Sequence, residues 1–313
     1  MKRILVVTYS QTGQLSRVVK AFVQPLIDNP ATDVTIETLV PEKPYSFPWP
    51  FIRFFTFFPE AVAMHPPAMK PITAFEDEAF DLVILAYQVW FLSPSLPMTG
   101  FLKSESAKRL LKDKPVITLI ACRDMWLSAQ EKVKHELTRL QARLIDNVAL
   151  VDESGSAFSF LSTPLWMFTG KRGPWLFIPR AGVSDDDIVN CKRFGDRIVA
   201  QLDRLGDQPI TEPLLKGLGA VKIKEKVIAS ELIAHRSFRV WGKILRTIGA
   251  QDSVARYIAV HIYIVFLVLL IVTLAPISAL IKFLVSPFTR KRIAAQKDYY
   301  ALPSGEGAED ISH

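Results

Sequence analysis

The stretch Arg3-Ile4-Leu5-Val6-Val7-Thr8-Tyr9-Ser10-Gln11-Thr12-Gly13-Gln14-Leu15-Ser16 decides the fold. Residues 4–7 are apolar without alternation, as in a strand covered on both faces. A hydroxyl-rich turn with one glycine follows, and then a helical pattern. A strand that runs through such a turn into a helix is a phosphate-binding arrangement. Hydroxyls and backbone N–H groups converge on the anion, and the helix N-terminus adds partial positive charge. The turn holds no Lys and no Gly-Lys-Ser/Thr, which excludes a nucleoside-triphosphate loop. It also lacks Gly-x-Gly-x-x-Gly, which excludes a dinucleotide fingerprint. A neutral loop suited to one phosphomonoester remains, and it points to FMN.

Outward from this stretch, strands and helices alternate. Residues 3–8 read as the first strand and 15–27 as the first helix, broken at Asp28-Asn29-Pro30. Residues 33–39 alternate as an edge strand does. Residues 81–87 form a second continuous apolar run and a central strand. The spacing predicts a helix over 97–111, a strand over 115–121, a helix over 128–142, and a fifth strand over 144–151. A closing helix over 185–205 is capped by Ser184. This alternation predicts an α/β domain over residues 1–205 with helices on both faces of a parallel sheet in the order 2-1-3-4-5. Ligands of such sheets bind beyond the carboxyl ends of the strands. The chemistry is therefore expected in the loops 9–16, 88–95 and 122–127.

Two insertions interrupt the pattern. Residues 45–58 carry eight aromatics (Tyr45, Phe47, Trp49, Phe51, Phe54, Phe55, Phe57 and Phe58) and are punctuated by prolines. They suit either a gate for a lipid-like substrate or a cover for the sheet's apolar flank. Residues 154–179 are rich in Ser, Gly, Pro and Trp.

The 313-residue chain has a formal charge of +7, and half of its residues are hydrophobic. The basic excess concentrates in residues 206–256, beside the most apolar segment. An anionic membrane surface is thus the expected partner, and nucleic acid is not. Residues 257–281 contain one ionisable side chain, His261, and reach about 37 Å as a helix, enough for a hydrocarbon core of about 30 Å. Basic residues flank both ends (Arg246 and Arg256; Arg290, Lys291 and Arg292), so a single span and a shallow hairpin bent at Pro276 both stay open. Residues 222–248 form a basic amphipathic helix with a Phe238, Trp241 and Leu245 stripe. It lies either on the bilayer or against the domain. The expected organisation is a flavin domain over 1–205, a basic juxtamembrane region over 206–256, a membrane segment over 257–285, and a polar, disordered tail over 286–313. The expected location is the cell inner membrane with the flavin domain in the cytoplasm. Cys122 and Cys191 are too few for a disulfide framework, and the histidines show no metal spacing.

Certain residues also carry a resemblance. Ser10-Gln11-Thr12-Gly13-Gln14 is similar to the FMN phosphate loop of flavodoxin-like proteins, whose pattern is Ser/Thr-x-Thr-Gly-x-Thr. Leu15 stands at the last hydroxyl position, with Ser16 one place later. Gln88-Val89-Trp90-Phe91-Leu92-Ser93-Pro94, followed by Phe101-Leu102, resembles the second flavin loop of NAD(P)H-dependent FMN reductases. Within that superfamily the Tyr9-to-Gln14 start, the aromatic insertion and Cys122-Arg123-Asp124-Met125-Trp126 resemble the proteins labelled dialkylresorcinol condensing enzyme.

The resemblance implies an FMN site made by Ser10, Gln11, Thr12, Gly13, Gln14 and Leu15 at the phosphate, with Gln88, Val89, Trp90, Phe91 and Cys122 at the ring. Arg123 would stabilise a reduced anionic ring. Asp124 would orient Arg123 or accept a substrate proton. The expected activity is a membrane-anchored flavin oxidoreductase, with NAD(P)H or oxygen as the second substrate. Its partners would be membrane lipid and a hydrophobic quinone-like or cyclic-dione substrate. The condensing label does not match the residues, because no Cys-His-His arrangement is present. An oxidation that aromatises a cyclic dione, beside a separate ketosynthase, fits better. A homodimer is implied by the fold's flavin reductases alone. The competing expectation is a non-catalytic electron carrier or membrane assembly subunit.

Overall fold

The computed structural model describes residues 1–73, 79–152, 154–205, 210 and 212–303, with side chains 156, 157, 160 and 274–288 left aside. Five parallel strands form the sheet: β1 (Lys2–Thr8), β2 (Thr32–Thr38), β3 (Leu82–Trp90), β5 (Pro115–Cys122) and β6 (Arg143–Val151), in the order β2-β1-β3-β5-β6. A two-residue strand, β4 (Ser93–Pro94), pairs antiparallel with the end of β3. Without β4, the order is the expected 2-1-3-4-5, and the architecture is flavodoxin-like α/β.

Both faces of the sheet are covered, which explains the unbroken apolar runs. Ile4, Val6, Ile84 and Leu119 meet α1 (Gln14–Ile27), α8 (Asp185–Asn190) and α9 (Lys192–Val199) through Val18, Phe22, Ile188 and Phe194. Leu5, Val7, Leu85 and Ile120 meet α4 (Leu96–Leu102), α5 (Glu105–Leu111) and α6 (Leu127–Arg139) through Met98, Phe101, Leu110 and Val133. Polar side chains buried on this second side form a chain. Tyr87 Oη donates to Gln130 Oε1 at 2.6 Å, Gln130 Nε2 donates to Thr118 Oγ1 at 2.9 Å, and Thr118 Oγ1 donates to Asn147 Oδ1 at 2.9 Å.

Two expected helices are divided. The helix read over 97–111 breaks at Lys103-Ser104, because Ser104 Oγ accepts from Ala107 N at 3.1 Å and restarts the helix as α5. The closing helix read over 185–205 becomes α8, α9 and a 3-10 turn at Leu202–Arg204. Its cap at Ser184 is present, with Oγ accepting from Asp187 N at 2.9 Å.

The aromatic insertion folds as two short helices, α2 (Phe51–Thr56) and α3 (Phe58–Val62). The second insertion supplies α7 (Gly155–Thr169). Beyond the domain lie α10 (Glu225–Ile248) and α11 (Val254–Ala301). The stripe of Phe238, Trp241 and Leu245 packs on Phe58, Val62 and Tyr263, so this face of α10 is docked. The opposite face exposes Ile233, Val240, Ile244 and Ile248 among Arg236, Arg239, Lys243 and Arg246.

Within α11, Val254–Thr273 is long and apolar enough to cross a membrane, with mean hydropathy 2.3. The remainder of the expected segment, from 274, falls on side chains outside the described residues. The expected polar tail from 286 is helical as far as Ala301, a correction to the reading of disorder there. Polar contacts hold its end: Lys297 pairs with Glu225 at 2.9 Å, and Tyr299 Oη donates to Glu131 at 2.8 Å. Residues 304–313 lie outside the described residues.

Glu231 fixes α10 to the domain. It is almost fully buried, and its carboxylate accepts from Ser128 N in the first turn of α6 at 2.6 Å. Burial raises its pKa from 4.5 to about 7 despite that bond. A raised folded-state value favours the folded state fully below the unfolded pKa, and the benefit is lost as pH rises through 7. Stability relative to Glu231→Gln should therefore fall by about 2–3 kcal/mol between pH 5 and pH 8, measured by paired urea titrations.

Candidate functional site

The phosphate-loop stretch sits where the sheet requires it, at the carboxyl end of β1. Gly13 is the N-cap of α1 with φ 78°. A Cβ there would meet nothing within 4 Å, so the left-handed backbone, not crowding, calls for glycine. Its N-cap, Gly13, offers α1 no side-chain cap. Ser10 Oγ is buried without a hydrogen-bond partner among the described residues. A buried orphan hydroxyl beside an uncapped helix start is what a ligand oxygen would satisfy.

The other loop side chains are committed to holding the loop. Gln11 N donates to Gln88 Oε1 at 3.2 Å, and Gln11 Nε2 donates to the Ser46 carbonyl at 2.7 Å. Gln14 clamps Val183 through two bonds of 3.1 Å, one in each direction. Thr12 Oγ1 accepts weakly from Gln14 N at 3.4 Å. Leu15, at the departing hydroxyl position, is fully buried in the core, while Ser16 is exposed.

A cleft of about 140 Å³ opens at this edge of the sheet. Gln11, Thr12, Gln14 and Leu15 line it from the first loop, and Gln88, Val89, Trp90 and Phe91 from the second. Cys122 and Arg123 line it from the third. Ten of the thirteen residues singled out in the sequence thus converge. Ser10 and Gly13 are not among the residues that line the cleft. Asp124 is outside it, buried and paired with Lys224 at 2.7 Å. Burial pushes the Cys122 thiol well up, so it is no thiolate. Burial lowers the Arg123 pKa, while Asp124 and Asp152 act in the opposite direction.

The aromatic insertion reaches the same cleft through Trp49 and Phe54. Trp90 lies edge-on to Tyr9, Tyr45 and Trp49, with centroids 6.1, 5.1 and 5.7 Å away. Phe54 lies against Phe91 at 4.6 Å. Phe91 and Leu92 both have positive φ in the two-residue turn joining β3 to β4, a turn that favours Asn-Gly. Their left-handed backbone costs about 1–2 kcal/mol per residue, which the packed rings offset. Ligand pockets for drug-sized molecules run to about 300–1,000 Å³. The phosphate end of the cleft therefore suits an FMN phosphate, whereas in this arrangement the ring end is filled by the chain's own aromatics and does not fit a tricyclic ring.

Asp152 was not singled out in the sequence. It directly follows β6, is buried, and gathers the far wall of the cleft. Its carboxylate accepts from Ser154 N and Gly182 N at 2.8 Å each, and from Thr163 Oγ1 at 3.1 Å. Trp166, Met167 and Gly182 complete that wall. An acid at the carboxyl end of the last strand, followed by Ser154 and Thr163, was the available signal.

No family model matches the sequence, and no curated protein matches it. Solved structures similar to the chain include an FMN complex of a flavoprotein from Lactobacillus acidophilus, 14% identical, over 48% of this chain and 93% of that one, with TM-score 0.39. A flavodoxin, WrbA-like protein from Agrobacterium tumefaciens is 11% identical, over 66% and 100%, with TM-score 0.38. Flavodoxin 1 from Bacillus cereus is 10% identical, over 64% and 99%, with TM-score 0.35. The fold assignment rests on strand order, to which likenesses of this size add nothing.

Asp152→Asn replaces an acceptor by a donor among four donors, Ser154 N, Ser154 Oγ, Thr163 Oγ1 and Gly182 N. It should destabilise the fold by about 2–3 kcal/mol and speed amide exchange at Gly182 at least tenfold, read by urea titration and hydrogen exchange.

Proposed function

We propose that the chain is a membrane-associated, flavodoxin-like oxidoreductase that takes the phosphate of FMN at the start of α1. The observation that carries this reading is the buried, unpartnered Ser10 Oγ beside the uncapped helix N-terminus. Bound FMN would supply electron-transfer chemistry. The chain's own part is to hold the phosphate with Ser10, Thr12 and the free N–H groups of α1, and to place the Arg123 cation on the cleft wall. The ring end admits a tricycle only after Trp49 and Phe54 move aside. A hydrophobic substrate suits that aromatic entrance. The resemblance to the dialkylresorcinol-linked proteins extends the proposal to a cyclic dione that loses two electrons and two protons to become aromatic, with a ketosynthase as neighbour. Oxygen would take up those two electrons and two protons as hydrogen peroxide; NAD(P)H would be the second substrate only if the chain runs as a reductase.

The filled ring end favours a second reading, a non-catalytic assembly subunit. Titrating the detergent-solubilised full chain with FMN, followed by absorbance and flavin fluorescence, separates the two. The oxidoreductase reading expects saturable binding that Ser10→Ala weakens about tenfold and Phe54→Ala strengthens. Absence of binding in the folded parent and in folded Phe54→Ala assigns the chain to the second reading.

We also propose that α11 enters the cytoplasmic leaflet and returns. Both of its ends touch the domain, through Tyr263 on Phe58 and Lys297 on Glu225, and both flanks are basic. A Ser312→Cys label should react with an impermeant maleimide only after cells are opened; reaction on intact cells would establish a single span instead.

A further inference from the structure

A second and larger cavity lies away from the sheet edge, between α6, α10 and the end of α11. Its volume is about 310 Å³, which falls in the range of ligand pockets. Met64, Leu232 and Tyr300 give it apolar walls, and Lys132, His135 and His235 bring polar groups to it.

The charge balance of these walls is uneven. Both carboxylates that line the cavity are already engaged: Glu131 with Lys134 at 2.9 Å and Tyr299 Oη at 2.8 Å, Glu136 with Arg139 at 2.8 Å. Among the described residues, Lys132 has no carboxylate partner. Its ammonium donates to two neutral acceptors, the Val62 carbonyl at 2.9 Å and Ser93 Oγ at 2.7 Å. An ammonium has three donors, so one N–H is left over. His235 Nε2 is buried and has no hydrogen-bond partner among the described residues. Burial and the nearby Arg239 lower Lys132 to about 8, which leaves it mostly charged at neutral pH. Burial, Lys132 and Arg239 hold His235 near 4, and hence neutral. No group of His, Cys, Asp and Glu among the described residues is placed to hold a metal ion. The unmet requirement is for negative charge, in a space whose remaining surface is apolar.

We infer that this cavity is a binding site for a small amphiphilic carboxylate, its head on Lys132 and His235 and its apolar body between Met64, Leu232 and Tyr300. One cation and one ring nitrogen match a monoanion with a hydrocarbon body. A bare phosphate dianion would leave the apolar walls unused. The site is separate from the sheet-edge cleft and does not rest on the flavin reading.

The test uses the full chain in nanodiscs of zwitterionic lipid, with ¹³C-labelled histidine and the His235 resonance assigned by His235→Gln. Octanoate should shift the His235 resonance saturably, with an apparent Kd at least tenfold lower than that of octanol. Inorganic phosphate at the same concentration should leave the resonance in place. Lys132→Met, which keeps the stem and removes the charge, should abolish the tenfold preference. Equal binding of octanoate and octanol by the parent protein overturns the proposal, and so does a matching shift with phosphate. A folded Lys132→Met that retains the preference overturns it as well. Should that variant fail to fold, the comparison of octanoate, octanol and phosphate on the parent decides alone.

Discussion

Glu60 and Arg256 form an ion pair almost wholly out of water, between the aromatic insertion and the foot of α11. Such a pair adds little net stability, because the desolvation of two charges offsets their attraction. Its effect is on geometry, since either charge left alone in that place would cost about 3–5 kcal/mol. The pair therefore holds α3 and the start of α11 in one relative position. Beside it, Phe58 stacks on Tyr263 with centroids 4.5 Å apart, and Trp241 covers Tyr263 and Phe266. The insertion whose far side is held in this way also supplies Trp49 and Phe54 to the cleft. The apolar helix and the cleft thus share one segment. A movement of that helix would be felt first at the two rings that fill the ring end.

The two ends of the cleft differ in kind. At the phosphate end, side-chain amides are spent on the loop itself: Gln11 on residue 46 and Gln14 on residue 183, which leaves backbone N–H groups and Ser10 for an anion. At the ring end, few polar atoms are offered, and aromatic edges meet aromatic faces.

The runs at 4–7, 81–87 and 115–121 were enough for a parallel sheet, because strands covered on both faces are apolar at nearly every position of the pleat, Thr118 being held by Gln130 and Asn147. Ser184 and the turn at 10–13 were legible for a similar reason, as local bonds made within three or four residues. Convergence of the loops after β1, β3 and β5 followed from topology. Asp124 is where that reasoning and the geometry diverge. Its position in the sequence suits the cleft, yet Lys224, a hundred residues away in sequence, pairs with it outside the lining. Asp152 was missed because its donors come from 154, 163 and 182, and no period relates them.

By itself, then, the sequence determined the flavodoxin-like sheet, the place and neutrality of the turn between β1 and α1, and an apolar helix near the carboxyl end. All of these are written in local pattern and short-range bonding. Tertiary structure alone decided that the chain's own aromatics fill one end of the cleft, that α10 docks by its Phe238–Leu245 side, and that the end of α11 meets α6 and α10 beside a second cavity. Those outcomes depend on contacts such as Glu60 with Arg256 and Glu225 with Lys297. Partners so distant along the chain are chosen by packing and by the cost of burying an unpaired charge, and neither is written in local pattern.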